Sequence, residues 1–386
     1  MMRSNRARLL FVVGSVATLL SLRAIAGPGG KDPATRALTI FSDVFALTRS
    51  NYVDSVDAQT LLEGAYDGMS DALDPFSFYV PASDRAAFRA QQESGALDPG
   101  IFVARRGGFP YVVGVVPGSP AEKAGVEPGD LIDLVEGKSL RNAPLWKVRA
   151  ALAGPEGTRV ELALFRPSDE KRIHIRVPRS KFQPTGASTR IDADVLVATV
   201  PAITASTPAD LRKAIEEAKT RGAKAIVLDL RGAIGGEMEN AAASAGLFTG
   251  KGTVARLVSR KLESKPLEAT AEKIWNGRTI VLVDDATGGA PEVFAAALRD
   301  RAGAVTVGQP TVGMAIQQRL VPTESGGSLF LTIGRYVSPS GTPLGSRGLT
   351  PDERVVTYPG DSSSRDAILE RGLELAREGA TARRAA

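Results

Sequence analysis

The residues of this chain that would support hydrolytic chemistry are few, and they fall in one short region. The run Val281-Leu282-Val283-Asp284-Asp285-Ala286-Thr287-Gly288-Gly289-Ala290-Pro291-Glu292 predicts a strand, a tight glycine turn and a helix through Asp300. A second strand, Ala304 to Val307, leads into Gly308-Gln309-Pro310-Thr311-Val312-Gly313-Met314. Two hydroxyls lie in this frame, Thr287 and Thr311, and either would in principle be a nucleophile. A hydroxyl of this kind needs a base within hydrogen-bond reach, either an imidazole or a neutral amine. For lysine, neutrality means lowering the pKa from about 10.4 towards 7, roughly 4 kcal/mol of desolvation. Neither threonine has a Lys or His nearby in sequence. Lys224, Lys251 and Lys273 read as solvated charges, and Thr287 suits a helix N-cap or turn equally well.

Composition narrows the chemistry further. The chain has no Cys, so disulfides, thiolate catalysis and Cys-ligated metal are excluded. It has one His, His174, in the alternating run Arg172-Ile173-His174-Ile175-Arg176-Val177, where a polar strand position is the plain reading. A Ser-His-Asp triad and a His-rich metal site therefore lack support, and no cofactor is expected. The 386 residues, 43% hydrophobic and 24% charged, suffice for two or three domains. The pI of 9.4 misleads. Residues 1–26 hold four Arg and no acid, and the remainder carries 44 basic against 43 acidic residues. Nucleic-acid binding gets no electrostatic support from that balance.

The N-terminus reads as an export signal. Arg3, Arg6 and Arg8 precede an apolar run over residues 9–22, and Ala24-Ile25-Ala26 offers a small-residue cleavage site. Fourteen helical residues span about 21 Å, short of the roughly 30 Å apolar core of a bilayer. A cleaved signal is favoured over a membrane anchor, with Arg23 before the cleavage site as the feature on the anchor's side. The expected destination is the periplasm or cell envelope.

Behind a short Gly/Pro linker, residues 35–90 read as helical, with Phe41, Val44, Phe45 and Leu47 at helical spacing and a break at Asp74-Pro75. Residues 96–179 hold short β-type runs around Gly118-Ser119-Pro120-Ala121-Glu122-Lys123-Ala124-Gly125-Val126-Glu127-Pro128-Gly129-Asp130, a Pro-initiated short helix with a Gly stop and a Pro-Gly turn. Pro144 to Leu152 predicts a helix. Ile226-Val227-Leu228-Asp229-Leu230-Arg231 is a buried-type strand, followed by the turn Gly232-Ala233-Ile234-Gly235-Gly236 and a helix to Phe248. Residues 365–378 predict an amphipathic helix, with a disordered tail after Gly379.

These motifs together resemble the C-terminal processing (tail-specific) serine peptidases that carry a PDZ domain. The resemblance covers about residues 38–378. It implies a multidomain α+β chain: signal or anchor plus linker (1–30), helical N-terminal segment (31–95), PDZ β-domain (96–180), crotonase-like ββα α/β peptidase core (181–360), and C-terminal helix and tail (361–386). The family pattern Ser-Ala-Ser-Ala-Ser-Glu places its nucleophilic middle Ser on Gly289, with Glu292 fixing the register. The pattern Phe-Gly-Lys-Gly places the basic Lys on Met314, 25 residues on. The dyad is thus absent, while Gln318 matches the Gln that orients the Lys. The family pattern Asp-Leu-Arg-x-Asn-x-Gly-Gly meets Ala233 where it has Asn. Gly235 or Gly236 with the N–H of Ala290 would form an oxyanion hole. In the PDZ domain the resemblance points to Gly100, Ile101, Phe102 and Val103 as carboxylate loop and edge strand. Leu145 and Val148 of the helix would flank the groove or fill the core.

The functional expectation is a catalytically inactive homologue. It would bind protein C-termini or unfolded polypeptide as scaffold or regulator, with an active protease relative among the expected partners. One alternative is an active endopeptidase whose nucleophile has moved to Thr287 or Thr311. Another is a structural homo-oligomer of the envelope with a vestigial groove.

Overall fold

The computed structural model describes residues 32–356 and 366–382. The apolar run 9–22 and the last four residues lie outside them. The chain divides into two units, residues 1–65 and 66–386. In the first, α1 (Pro33–Asn51) has Pro in its first turn and buries no residue. Leu38, Phe41, Val44 and Leu47 on it are exposed. The next helix, α2 (Ala58–Asp71), starts where the Asp57 carboxylate accepts from the N–H of Thr60 at 3.0 Å.

The second unit takes over within α2. The Asp74 carboxylate accepts from the N–H groups of Phe76 (2.9 Å) and Ser77 (2.8 Å), turning the chain out of the helix. Here the expectation of helix over residues 35–90 needs correction. Strand β1 (Phe78–Val80) intervenes before α3 (Arg85–Glu93). The strand forms because Phe78 stacks on Phe330 of a distant strand at 4.8 Å, a tertiary contact that no local pattern reports.

A six-stranded antiparallel sheet follows. Its strands are β2 (Ile101–Arg106), β3 (Phe109–Val115), β4 (Leu131–Val135), β5 (Lys138–Ser139), β6 (Arg159–Arg166) and β7 (Lys171–Pro178). The order is β2-β3-β4-β6-β7, with β5 on β4. The short helix α4 (Pro120–Lys123) begins as the motif predicts, with Ser119 Oγ accepting from the N–H of Glu122. Helix α5 (Leu145–Leu152) closes one side of the sheet, and Leu145, Val148 and Leu152 enter its core.

The remaining residues form an α/β core. Strands β8 (Ser188–Asp192), β9 (Val195–Thr199), β10 (Ala225–Asp229), β14 (Arg278–Val283), β16 (Val305–Gly308) and β19 (Glu353–Arg354) make one sheet in the order β19-β16-β14-β10-β9-β8. All its pairs are parallel except β8 with β9. Both faces are covered, which is why β10 reads as an unbroken apolar run. Ile226 and Leu228 face α6 (Thr207–Thr220), α7 (Met238–Thr249) and α8 (Ala290–Ala302), while Ala225 and Val227 face α9 (Ala367–Ala382). Helix α9 continues past Gly379, where a disordered tail was expected. Two short strands, β11 (Ile234–Gly235) and β15 (Gly288–Gly289), pair with each other. Strands β12 (Gly252–Ser259), β13 (Lys265–Ala269), β17 (Ile316–Pro322) and β18 (Ser328–Val337) complete a second sheet with β1.

Candidate functional site

Three chain segments meet beyond the carboxyl ends of the parallel strands, the usual place for a site in an open α/β sheet. They follow β10, β14 and β16. The Asp284 carboxylate accepts from the N–H of Gly232 at 2.9 and 3.1 Å, tying the first segment to the second. The N–H of Gly288 donates to Ala233 O (2.9 Å), and Ile234 and Gly235 pair with Gly288 and Gly289. The third segment docks through the N–H of Val312 on Thr287 O at 2.9 Å. Gly289 is the N-cap of α8, with φ 81° and ψ −124°. That region suits glycine and strains any L side chain.

One buried carboxylate holds this assembly. Glu292, in the first turn of α8, is fully buried. Its Oε2 accepts from the N–H groups of Gly289 and Met314, both at 2.8 Å. Its Oε1 accepts from the N–H of Gly313 at 2.6 Å and from the hydroxyl of Thr311. Burial pushes its pKa up to about 7, against the downward pull of those four donors. The sequence shows Glu292 only as a register mark, yet it joins the two segments on which a nucleophile and base would stand.

The candidate residues separate clearly. Thr287 is fully buried. Its hydroxyl donates towards Leu230 O (2.9 Å) and Asp284 Oδ1 (2.8 Å), and accepts from the N–H of Asp284 (3.0 Å). Thr311 donates to Glu292 and accepts from the N–H of Leu349 (2.7 Å). Both hydroxyls are thus committed to internal hydrogen bonds, and neither has a Lys or His among its partners, the base that the alternative of a relocated nucleophile requires. Lys224 pairs with Asp194 (3.6 Å) and Lys251 with Glu272 (2.6 Å), while Lys273 is exposed. His174 is exposed on β7. Among the described residues no group of three or more acidic or His side chains would hold a metal ion. Gly235 and Gly289 are paired neighbours, Gly236 is exposed, and Ala290 is buried at the first position of α8. Gln318 sits on β17 with its amide Nε2 donating to Phe76 O at 3.2 Å.

Met314 is half-buried in an apolar cluster. Phe76, Ala104, Val113 and Ile234 form its centre, and Phe102, Tyr111, Val312, Met314 and Ile316 pack against it. The cluster joins the antiparallel sheet to the α/β core. Ile234 Cδ1 lies where a Cβ on Gly114 would sit, and Phe102 Cζ lies 2.8 Å from where one on Gly235 would be. Strand alternation explains this division. Ile101 and Val103 face the interior of the antiparallel domain, and Phe102 and Ala104 face the α/β core. Of the proposed groove residues, Ile101, Val103, Leu145 and Val148 have core side chains, so the helix pair Leu145 and Val148 takes the core role of the two left open, while Ile101 and Val103 keep only their backbone at the edge of the sheet. Gly100 is also buried, with φ 93° and Ser119 where a side chain would go.

Comparison with known proteins agrees with this architecture. The family model for Peptidase family S41 matches residues 194–355, a PDZ domain model matches 111–166, and a model of the Activating protease CtpB N-terminal domain matches 27–83. The Carboxy-terminal-processing protease of Bartonella bacilliformis is 30% identical over 360 residues, covering 89% of this chain and 82% of that protein. The chain belongs to the C-terminal processing peptidases of family S41. Carboxy-terminal processing protease CtpA of Bacillus subtilis is also 30% identical, over 349 residues, covering 90% of this chain and 73% of that one. The solved structure of the photosystem II D1 C-terminal processing protease shares the fold, with a TM-score of 0.62 at 23% identity, covering 82% of this chain and 92% of the other. This S41 member therefore combines a helical N-terminal segment, a PDZ domain and a serine-type peptidase core.

Proposed function

We propose that this S41 member binds protein C-termini or unfolded polypeptide without hydrolysing them, as a scaffold or regulator in the cell envelope. The observation that carries the reading is the Glu292 hub. The two backbone N–H groups sharing its Oε2 belong to Gly289 and Met314, so the frame for a hydroxyl and an amine is built and neither group is on it. The nearby hydroxyls of Thr287 and Thr311 are committed to structural hydrogen bonds. A thioether has the length of a lysine side chain and no proton-accepting amine, and it suits the apolar cluster around Met314. Backbone donors alone would leave at most about 10³–10⁴-fold acceleration over water, too little for a useful protease. Export rests on the arginine-flanked apolar run 9–22 and the Ala24-Ile25-Ala26 site.

The test is restoration of the dyad. The purified chain is expected to leave a disordered substrate such as casein intact. Gly289→Ser combined with Met314→Lys is expected to produce cleavage that neither single variant shows. Thermal melting of all three establishes that they fold. Cleavage by the unmodified chain, abolished by a substitution in the cleft, would overturn the reading.

A further inference from the structure

The antiparallel domain carries a cleft of about 410 Å³ beside α4. Strand alternation sets one of its walls. Arg159 and Arg176 are exposed while their neighbours Val160 and Val177 are buried, so both arginines point outward from β6 and β7. The register pairs Arg159 with Pro178 and Glu161 with Arg176, which makes the two arginines diagonal neighbours on that face. Lys123, in the last turn of α4, lines the cleft from a second side, and Lys181, three residues past β7, from a third. The segment that bears Lys181 is held in place. The N–H of Thr185 donates to Pro117 O at 3.0 Å, and Phe182 Cζ lies 3.2 Å from where a Cβ on Gly100 would be.

Four cations thus converge on one concavity, and among the described residues no acid lines it. The one acid of α4, Glu122, is committed to the N–H of Gly118 at 2.6 Å. Arg176 pairs with Glu161 at 2.6 Å and Lys181 with Glu156 at 3.3 Å, and each member of these pairs is more than half exposed. Exposed pairs of this kind hold weakly and yield to a competing anion. The side chains of Lys123 and Arg159 have no hydrogen-bond or ion-pair partner among the described residues. Beyond residue 26 basic and acidic residues nearly balance, 44 against 43, so the excess of charge here is local.

The rest of the lining selects the anion. Pro120 and Pro178 have no N–H, and the N–H of Ala124 is turned back on Pro120 O at 3.0 Å. These positions offer an extended acidic peptide no backbone ladder. Together with Phe182 they set apolar surface between the cations, which suits a phosphate carried on a hydrocarbon body. Each lysine or arginine near an anionic leaflet adds to its attraction. We propose that this cleft docks the chain on a membrane surface by taking the phosphodiester headgroup of an anionic phospholipid between Lys123, Arg159, Arg176 and Lys181. This contact goes beyond the capture of C-termini. It takes from the proposed function only the place in the envelope, where such leaflets are the neighbouring anionic surface.

Flotation of the purified full chain tests it, with vesicles of phosphatidylcholine alone and of phosphatidylcholine and phosphatidylglycerol in equal parts. The run 9–22 and its arginines act in every sample, so variants are compared with one another. Lys123→Gln with Arg159→Gln is expected to weaken partition onto the anionic vesicles at least about tenfold, at roughly fivefold per basic residue. Partition onto phosphatidylcholine should not change. Lys213→Gln with Lys219→Gln removes the same charge from exposed positions of α6 and should bind like the unmodified chain. Equal loss in both double variants would mean that net charge alone acts, and would overturn the cleft. Unchanged anionic partition of the Lys123 and Arg159 variant would overturn it too. Inorganic phosphate at the phosphorus concentration of the vesicles should leave the chain bound, and release by it would assign the cleft to free phosphate. Binding of soluble polyglutamate that depends on Lys123 and Arg159, without binding of anionic vesicles, would assign it to an acidic polypeptide. All four substituted side chains are exposed, and melting curves establish that the variants fold. Partition is read on purified chain, so its failure overturns the cleft alone, and cell fractionation decides the envelope reading separately.

Discussion

Glu292 carries four donors and no cation, so its two protonation states trade different costs. The ionised form satisfies every donor but is fully buried, while the neutral form escapes desolvation and turns a proton towards groups that mostly cannot accept it. Burial wins, and the pKa rises to about 7 from the ordinary 4.5. The folded state thus holds this proton more tightly than the unfolded chain does. Its contribution to stability is fully present below about pH 4.5, declines as pH rises, and is lost above about 7. The difference is about 3 kcal/mol at ~1.4 kcal/mol per pH unit. Denaturant unfolding of the native chain and Glu292→Gln between pH 5 and 8 checks this. The native chain should lose stability relative to the variant as pH rises, whereas parallel curves would show that the carboxylate stays ionised throughout. Glu292→Ala should cost about 3–5 kcal/mol near pH 5, because three backbone N–H groups lose a buried acceptor, and less as pH rises towards 8. The sequence reveals Glu292 as the one acid of a helix start but not three of its four partners, which come from a segment some twenty residues downstream. Thr287 and Thr311 mislead for the same reason. A hydroxyl reads identically whether it faces a substrate or a backbone carbonyl, and only burial separates the two.

Helix α8 and its glycine entry show what an element imposes on its first residue. The chain leaves β14, pairs briefly with β11, and must reverse into the helix within two residues, which puts Gly289 at φ 81°. A Cβ there would lie 3.3 Å from Gly235 O, close but with room after a small adjustment. The backbone geometry is therefore the main obstacle to a side chain. Gly289→Ala is expected to cost about 1–3 kcal/mol, the usual range for a non-glycine residue in this region. A melting temperature unchanged within error would mean that the turn relaxes freely. The same strain attends Gly289→Ser, so restored activity should come with reduced stability. Elements of this kind were legible in the sequence because glycine turns, Pro-initiated helices and β10's apolar run encode them locally. Strand β1 and the hairpin of β12 and β13 were not read, since their pairing partners β18 and β13 supply the reason for their form. Helix α5 was legible as an element, yet its faces stayed open between two roles, because groove and core positions share one periodicity.

Within the unit that begins at Tyr66, the PDZ sheet and the peptidase-like core are held together by a small apolar cluster in which Phe102 and Met314 both take part. The ring of Phe102 lies against the Gly235 turn, so this aromatic of the edge strand is a contact between the two domains. The sequence alone does not tell which domain that residue faces, since a strand of apolar residues can present either side. The contact is half-exposed, so its removal should cost less than the 3–5 kcal/mol typical of a fully buried Phe. Phe102→Ala is expected to destabilise the unit by about 1–3 kcal/mol. The loss should appear where the two domains join, because Ala104, Val113 and Ile234 lose a shared neighbour while the interior of each domain keeps its own core. Limited proteolysis distinguishes this from a general loosening. Cleavage between residues 179 and 187, which connect β7 to β8, should quicken in Phe102→Ala while fragments from within the α/β core stay rare. Uniform cleavage across both domains would mean that the cluster contributes no more to their association than to either domain alone. Met314→Lys tests the same surface by another route. An amine placed among these apolar side chains must be desolvated, so this single variant should be less stable than the native chain at pH 7 and recover part of the loss at high pH, where the amine is neutral.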